Sequence, residues 1–290
     1  MMARIADDED FFRLKEFIED HRNWALEVAK GDTKVWTMAV ENCNFKMVKI
    51  HSLFEDVTPD VLFDVLHDPD YRKVWDSHML DSFEIGVFNV NNDIGYYAMS
   101  CPPPLKPRDF ILQRSWLDTG EEQMLISRSV YHKDFPPKKG YVRATSHITG
   151  FIIRPHPRNP HGCSLGYLAH CDPQGKLPSW LVNKVTHTLG PRMITDLKKA
   201  AQGYPAWKAQ QSDMRKPWRF PDQITAQRVS VFDSCFQIQV LPAQSTQLQS
   251  NGSSTSKTIE VLQKPKGSTR KRDKLAFKAI ESKSKSYSTL

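Results

Sequence analysis

The stretch Leu177-Pro178-Ser179-Trp180-Leu181-Val182 opens a helical pattern that runs beyond Ala201 and follows a long series of segments with strand periodicity. Leu181, Val185, Leu189, Met193, Leu197 and Ala201 form one stripe of a helical period, and Pro178 suits a first turn, where a backbone N–H has no intrahelical partner. A helix with one buried stripe, placed after many strands, predicts an α+β fold in which an antiparallel sheet of about nine strands curves around the helix. Such a sheet leaves a hollow between its concave face and the helix. Gly190-Pro191 interrupts the stripe, and because proline removes a hydrogen bond and crowds the preceding turn, a kink is expected there.

Upstream, residues 8–20 read as a short amphipathic helix with Phe11, Phe12, Leu14, Phe17 and Ile18 on a broad apolar face. The period then changes to two over residues 24–28, 35–40 and 45–54. Thr58 followed by Pro59 marks a helix start leading into Val61, Leu62, Val65 and Leu66. Asp68-Pro69 ends that helix, and Asp70 is placed to cap a second one reaching residue 80. Six strand segments follow, at residues 83–90, 94–101, 109–117, 123–131, 141–154 and 163–171. The loops at 102–107 and 133–140 hold Leu105 and Phe135 between rigid prolines, a composition suited to a rim.

A chain of 290 residues with 39% hydrophobic content can bury a substantial core. Acidic and basic residues balance over residues 1–208, so the formal net charge of +7 belongs to residues 209–290. A phosphate-tracking surface needs clustered Lys and Arg, so nucleic-acid binding by the folded part is poorly motivated. Cys43, Cys101, Cys163, Cys171 and Cys235 include no close-spaced pair, which favours free thiols in a reducing compartment. The first ten residues turn acidic where a secretory signal needs an apolar stretch, and no apolar run is long enough for a transmembrane helix. Residues 209–290 are basic and rich in Ser and Gln, and are expected to be mostly disordered. Within them, residues 229–240 alternate like a strand without an obvious partner.

Gly162-Cys163-Ser164-Leu165-Gly166 matches the pattern of a hydrolase nucleophile elbow, but a loop precedes it where a strand is required, and strand periodicity follows where a helix is required. His156, His161, Cys163, His170 and Cys171 have metal-capable atoms at spacings that fit no familiar site, and no metal is expected. Arg72 and Asp76 lie one helical turn apart, so the carboxylate can orient the guanidinium; a guanidinium so held suits a phosphate, which it grips through parallel hydrogen bonds. The same pair also suits an ordinary surface salt bridge.

The segments Asp70-Tyr71-Arg72-Lys73-Val74-Trp75-Asp76, Gly95-Tyr96-Tyr97, Pro104-Leu105-Lys106-Pro107-Arg108-Asp109 and Leu177–Asn183 resemble the START lipid-transfer family, in its phosphatidylcholine transfer protein branch, over residues 8–208. That resemblance implies a helix-grip fold enclosing an apolar lipid cavity in a domain at 8–208, with a tail at 209–290. It implies intracellular, non-enzymatic binding of one phospholipid per chain, phosphatidylcholine and/or phosphatidylethanolamine, and its transfer between membranes. The lipid is the ligand and no cofactor is called for. A monomer making transient peripheral contact with membranes in the cytoplasm is expected. By position, Arg72 takes the place of the branch's phosphate-binding arginine and Asp76 that of its neighbouring aspartate. Tyr97 stands where the branch has a tryptophan of its choline cage, Phe110 and His147 where it has cage tyrosines, Thr149 where it has a glutamine, and Leu66 where it has a tyrosine. Leu105, Val185, Leu189, Gly190 and Pro191 are expected to form the gate. The competing class is a lipid sensor or scaffold that engages a protein partner through its loops or basic tail.

Overall fold

The computed structural model describes residues 3–41, 43, 45–175 and 190–230. Residues 176–189, where the sequence predicts the opening of the long helix with Leu177, Val185 and Leu189, lie outside the described residues, as do residues 231–290.

Helix α1 (Asp8–Glu19) is followed by β1 (Ala25–Lys30), β2 (Thr33–Met38) and β3 (Met47–Phe54), then by α2 (Pro59–His67) and α3 (Pro69–Trp75). The remaining strands are β4 (Met79–Asn89), β5 (Asn92–Met99), β6 (Arg108–Asp118), β7 (Gln123–Ser129), β8 (Val142–Arg143), β9 (Thr145–Pro155) and β10 (Cys163–Asp172). Among the described residues the last α-helix, α4, spans Gly190–Lys208. The sheet runs β1-β2-β3-β10-β9-β7-β6-β5-β4 with antiparallel neighbours, and β8 pairs parallel to β6 off that path. It is an open sheet with β1 and β4 at its edges.

Among the described residues the sheet has ten strands where about nine were expected, because the segment at 141–154 breaks at Ala144. Val142 and Arg143 pair with Arg108 and Asp109 of β6, whereas the chain from Thr145 moves over to β7 and β10. The second short helix also ends earlier than the sequence suggests. Asp76 closes α3, with its N–H donating to Arg72 O at 3.0 Å. Thr58 caps α2 as expected, its hydroxyl accepting from Val61 N at 3.5 Å. The cap of α3 is Asp68 rather than Asp70: its Oδ1 accepts from the N–H groups of Asp70 and Tyr71, both at 3.1 Å.

The two faces of the sheet have different partners. On the outer face, Phe11, Leu14 and Ile18 of α1 pack with Met124, Ile126, Ile152 and Leu168. Gly150 and Gly166 permit this approach, since a Cβ on Gly166 would stand 2.6 Å from Ile18 Cγ2 and one on Gly150 would overlap Leu14. The C-terminus of α1 is closed by the buried Lys49, whose Nζ donates to Phe17 O (3.0 Å) and Asp20 O (2.7 Å). On the inner face, Ile194, Leu197, Ala201 and Tyr204 of α4 pack with Leu62, Phe63 and Leu66 of α2 and with Ile50, Phe54 and Leu165 of the sheet. Leu197 and Ala201 of the predicted stripe are thus core residues, and Met193 is partly buried beside them.

The structured chain does not stop at 208. Asp60, Asp64 and Asp68 recur every fourth residue along α2 and its C-cap, and the end of α4 and the segment after it bring cations to them. Lys208 Nζ donates to Asp68 Oδ2 (3.0 Å), and Lys216 Nζ and Arg219 Nε donate to Asp64 at 2.7 and 2.6 Å. Beyond a short 3-10 turn (Pro221–Gln223), Gln227 and Val229 hydrogen-bond to Val87 of β4. Residues 209–230 are therefore packed on the domain, a correction to the boundary expected from composition. Residue 229 of the predicted lone strand has found a partner at the sheet edge.

Candidate functional site

A cavity of about 1040 Å³ lies between the inner face of the sheet, α3 and α4. Its lining draws on β3, β10, β9, β7, β6, β5 and β4, which is possible only because the sheet curves. Ile50, Leu66, Leu112, Phe151, Met193 and Leu197 make much of the wall apolar. The volume lies at the upper end of small-molecule sites, which span about 300–1,000 Å³.

One polar cluster is set into this wall by α3, β5 and β6. Asp76 Oδ2 accepts from Arg72 Nε at 3.2 Å and from the Tyr97 hydroxyl at 2.9 Å, while Asp76 Oδ1 accepts from His78 N at 3.2 Å. Asp76 is 11% exposed and Arg72 33%, so the pair sits at the cavity boundary rather than in bulk water. The guanidinium lies over the rings of Trp75 (5.3 Å) and Tyr97 (5.5 Å), which orients it as a plane. Its Nε is held by Asp76, and no described carboxylate or carbonyl pairs with either Nη. Arg72 itself lines the cavity. The Trp75 Nε1 proton is buried and has no partner among the described residues. Burial raises the pKa of Tyr97 well above the ordinary phenol value, Arg72 opposes the rise and Asp76 adds to it; the hydroxyl stays a donor.

Phe110 stands directly opposite Tyr97 across β5 and β6, with ring centroids 6.4 Å apart. Thr149, on β9, also lines the cavity, and its Oγ1 lies 3.0 Å from Ser146 Oγ and 3.5 Å from Cys171 Sγ. Arg72, Asp76, Tyr97, Phe110 and Thr149 are thus all brought to one cavity. His147 is not. It is exposed and stacks on His170 at 4.6 Å. The cause is a β-bulge: pairing with β10 passes from His170↔Ile148 to Cys171↔Ser146 and skips His147. Strict alternation from Phe151 and Thr149 would have turned residue 147 inward, but the extra residue places Ser146 there instead.

Two features escaped the sequence reading. Asp93 and Arg114, cross-strand neighbours on β5 and β6, form a bidentate pair on the cavity wall, with Nε–Oδ1 2.9 Å and Nη2–Oδ2 2.5 Å. Burial works against the charge of Arg114, yet Asp93 prevails and raises its pKa. Glu84 nearby is raised by burial and then by the negative charge of Asp93. The signal was present, because Asp93 and Arg114 have the same strand parity as Tyr97 and Phe110. The second feature is His67, wholly buried on the cavity wall between Phe63 and Trp116. Its Nδ1 donates to Phe63 O at 2.9 Å, and burial, aided by Arg114, pushes its pKa down to about 3.

Leu105 lies in the loop between β5 and β6, of which Cys101 and Pro102 line the cavity. Arg108 anchors that loop, donating to Lys106 O (2.6 Å), Pro173 O (3.0 Å) and Gln174 O (3.1 Å). Buried Asp109 accepts two bonds from Arg143, at 3.1 and 3.0 Å. Gly190 and Pro191 open the described part of α4, and Gly190 lines the cavity. Val185 and Leu189 of the expected gate, and the turn before Pro191 where a kink was expected, lie outside the described residues. Ser164 sits inside β10 with no helix after it, so the elbow geometry of a hydrolase is not formed. Among the described residues, no group of three or more His, Cys, Asp or Glu is placed to hold a metal.

The START domain model matches residues 4–206. START domain-containing protein 10 of Mus musculus is 40% identical over 222 residues, 76% of this chain and 76% of the relative. Phosphatidylcholine transfer protein of Mus musculus is 26% identical over 186 residues, 63% of this chain and 85% of the relative. The crystal structure of human STARD10 superposes with a TM-score of 0.75 at 38% identity, covering 80% of this chain and 94% of that one. Human StAR-related lipid transfer protein 5, at 18% identity and a TM-score of 0.62 over 68% of this chain and 95% of that one, shares the fold. With its ten-stranded sheet, inner helix and match over most of its length, the chain belongs to the START domain family.

Proposed function

We propose that this protein binds one phospholipid in its cavity and carries it between membranes without altering it chemically. The observation that carries the reading is Arg72, held by Asp76 through Nε and set over the rings of Trp75 and Tyr97 on the wall of a largely apolar cavity. A phosphodiester satisfies the two Nη groups while the acyl chains occupy the apolar wall. The similarity to proteins named for phosphatidylcholine transfer and StAR-related lipid transfer supports the same reading. The faces of Tyr97 and Phe110 suit a quaternary ammonium, and the hydroxyls of Thr149 and Ser146 suit the N–H groups of ethanolamine. Phosphatidylcholine and phosphatidylethanolamine are both cargo on this account.

Enclosure is what makes transfer through water feasible. A phospholipid carries on the order of 30 methylenes, and at about 0.8 kcal/mol each their exposure would cost roughly 25 kcal/mol. The cavity has to stand in for the bilayer, and lipid must pass directly between the two. Exchange at a membrane surface therefore needs a gate, which we assign to the loop around Leu105 and the start of α4 at Gly190 and Pro191. The protein works as a cytoplasmic monomer that touches membranes transiently.

The test is vesicle-to-vesicle transfer of labelled phosphatidylcholine by wild type and Arg72→Ala. Removing a charged hydrogen-bonding partner costs about 1.5–3 kcal/mol, so lipid affinity should fall by about tenfold to a hundredfold and transfer should fall with it. Transfer at the wild-type rate in Arg72→Ala would overturn the assignment.

A further inference from the structure

We propose that residues 209–230, which lie beyond the family match at 4–206, form a strap that completes the wall of the lipid cavity and sets how long a bound lipid is retained. The proposal rests on reading the cavity as a phospholipid site.

The strap is fastened at two places. At the first, buried Asp64 of α2 accepts from Lys216 Nζ (2.7 Å), Trp218 Nε1 (2.8 Å) and Arg219 Nε (2.6 Å), and Arg219 Nη2 also donates to Asp60 O at 2.9 Å. Charge-assisted bonds to one buried carboxylate hold more firmly than an exposed pair, because water competes poorly for them. At the second, Val87 N donates to Gln227 O and Val229 N to Val87 O, each at 2.9 Å. This adds backbone to the otherwise open edge of β4. Gly86 makes the approach possible: a Cβ there would meet Gln227 O and Val229 Cγ1, both at 2.7 Å.

Between the fastenings the strap faces the cavity. Trp218, Ile224 and Ala226 line it, and the Trp218 indole stacks on His67 at 5.8 Å with an interplanar angle of 19°. Lipid in the cavity is thus enclosed on this side by residues after α4. The fastenings are unequal. Three side-chain bonds to a buried carboxylate secure one, and two backbone bonds beside the exposed Gln227 and Arg228 secure the other. The β4 fastening opens first, since segments held by few, exposed bonds open at the lowest free energy. Opening there unseals the wall without unfolding the domain.

The experiment loads full-length protein with fluorescently labelled phosphatidylcholine and follows release into excess unlabelled phosphatidylcholine vesicles for wild type, Gly86→Val and Ile224→Asp. Gly86→Val drives a side chain into the strap from a position outside the cavity lining. Ile224→Asp puts a charge on the strap's cavity face, at a partly buried position outside the core clusters. Both variants should release lipid about tenfold faster than wild type, the change falling on the dissociation rate. If Gly86→Val fails to fold, Ile224→Asp decides alone. Wild-type release rates in the folded variants would overturn the strap while leaving the phospholipid reading intact. A wild type that loads no phosphatidylcholine would overturn both.

Discussion

Arg72 shows how much one side chain depends on its neighbours. Its helix and its partner Asp76 one turn on were readable from spacing, because i, i+4 pairing is local physics, whereas that spacing suited a surface salt bridge as well as a phosphate grip. The Tyr97 hydroxyl that shares Asp76 was not, because the link crosses from α3 to β5. His147 fails for a different reason: a bulge has no strong local signature, and one extra residue reverses the face of every position on one side of it. His67 carries a prediction of its own. Its folded pKa of about 3 lies below the ordinary 6.5, so between those values the unfolded chain takes up a proton that the folded chain refuses. Stability is whole above 6.5 and falls as pH drops through that window. In urea titrations, His67→Phe should reduce the loss between about pH 4 and 6 by up to one proton's worth, about 1.4 kcal/mol per pH unit. An unchanged slope would mean that His67 is protonated in the folded protein.

Elements were recovered best where period and caps agreed. The helices at Asp8–Glu19 and Pro59–His67 and the long strands from Asn92 to Ser129 fall close to their expected places. The break at Ala144 was hidden because β8 and β9 share one apolar alternation and separate only through their choice of partner. The strap was hidden for a comparable reason. Met214-Arg215-Lys216-Pro217-Trp218-Arg219-Phe220 reads as a basic connector until it is set beside the acidic stripe Asp60, Asp64 and Asp68, which is distant in sequence. The gate belongs to this scale too. A cysteine pair introduced to join the Leu105 loop to the first turn of α4 should abolish vesicle transfer when oxidised and restore it on reduction, if both elements must part for lipid to pass. Undiminished transfer by the oxidised form would move the gate elsewhere.

In the molecule as a whole, one open sheet serves two purposes. Its outer face is closed by α1 against Gly150 and Gly166, while its inner face is left partly unfilled between α3 and α4. The late helix with its buried stripe foretold what the concave face of the sheet grips. How large the hollow is, and that residues past 208 help to wall it, depended on side-chain volumes and long-range ion pairs that no local pattern encodes. The most direct measurement is native mass spectrometry of the full-length protein purified from cells, with identification of whatever it retains. One phospholipid per chain, choline- or ethanolamine-headed, is the predicted result. A protein that arrives empty and takes up no phospholipid from vesicles would contradict the account.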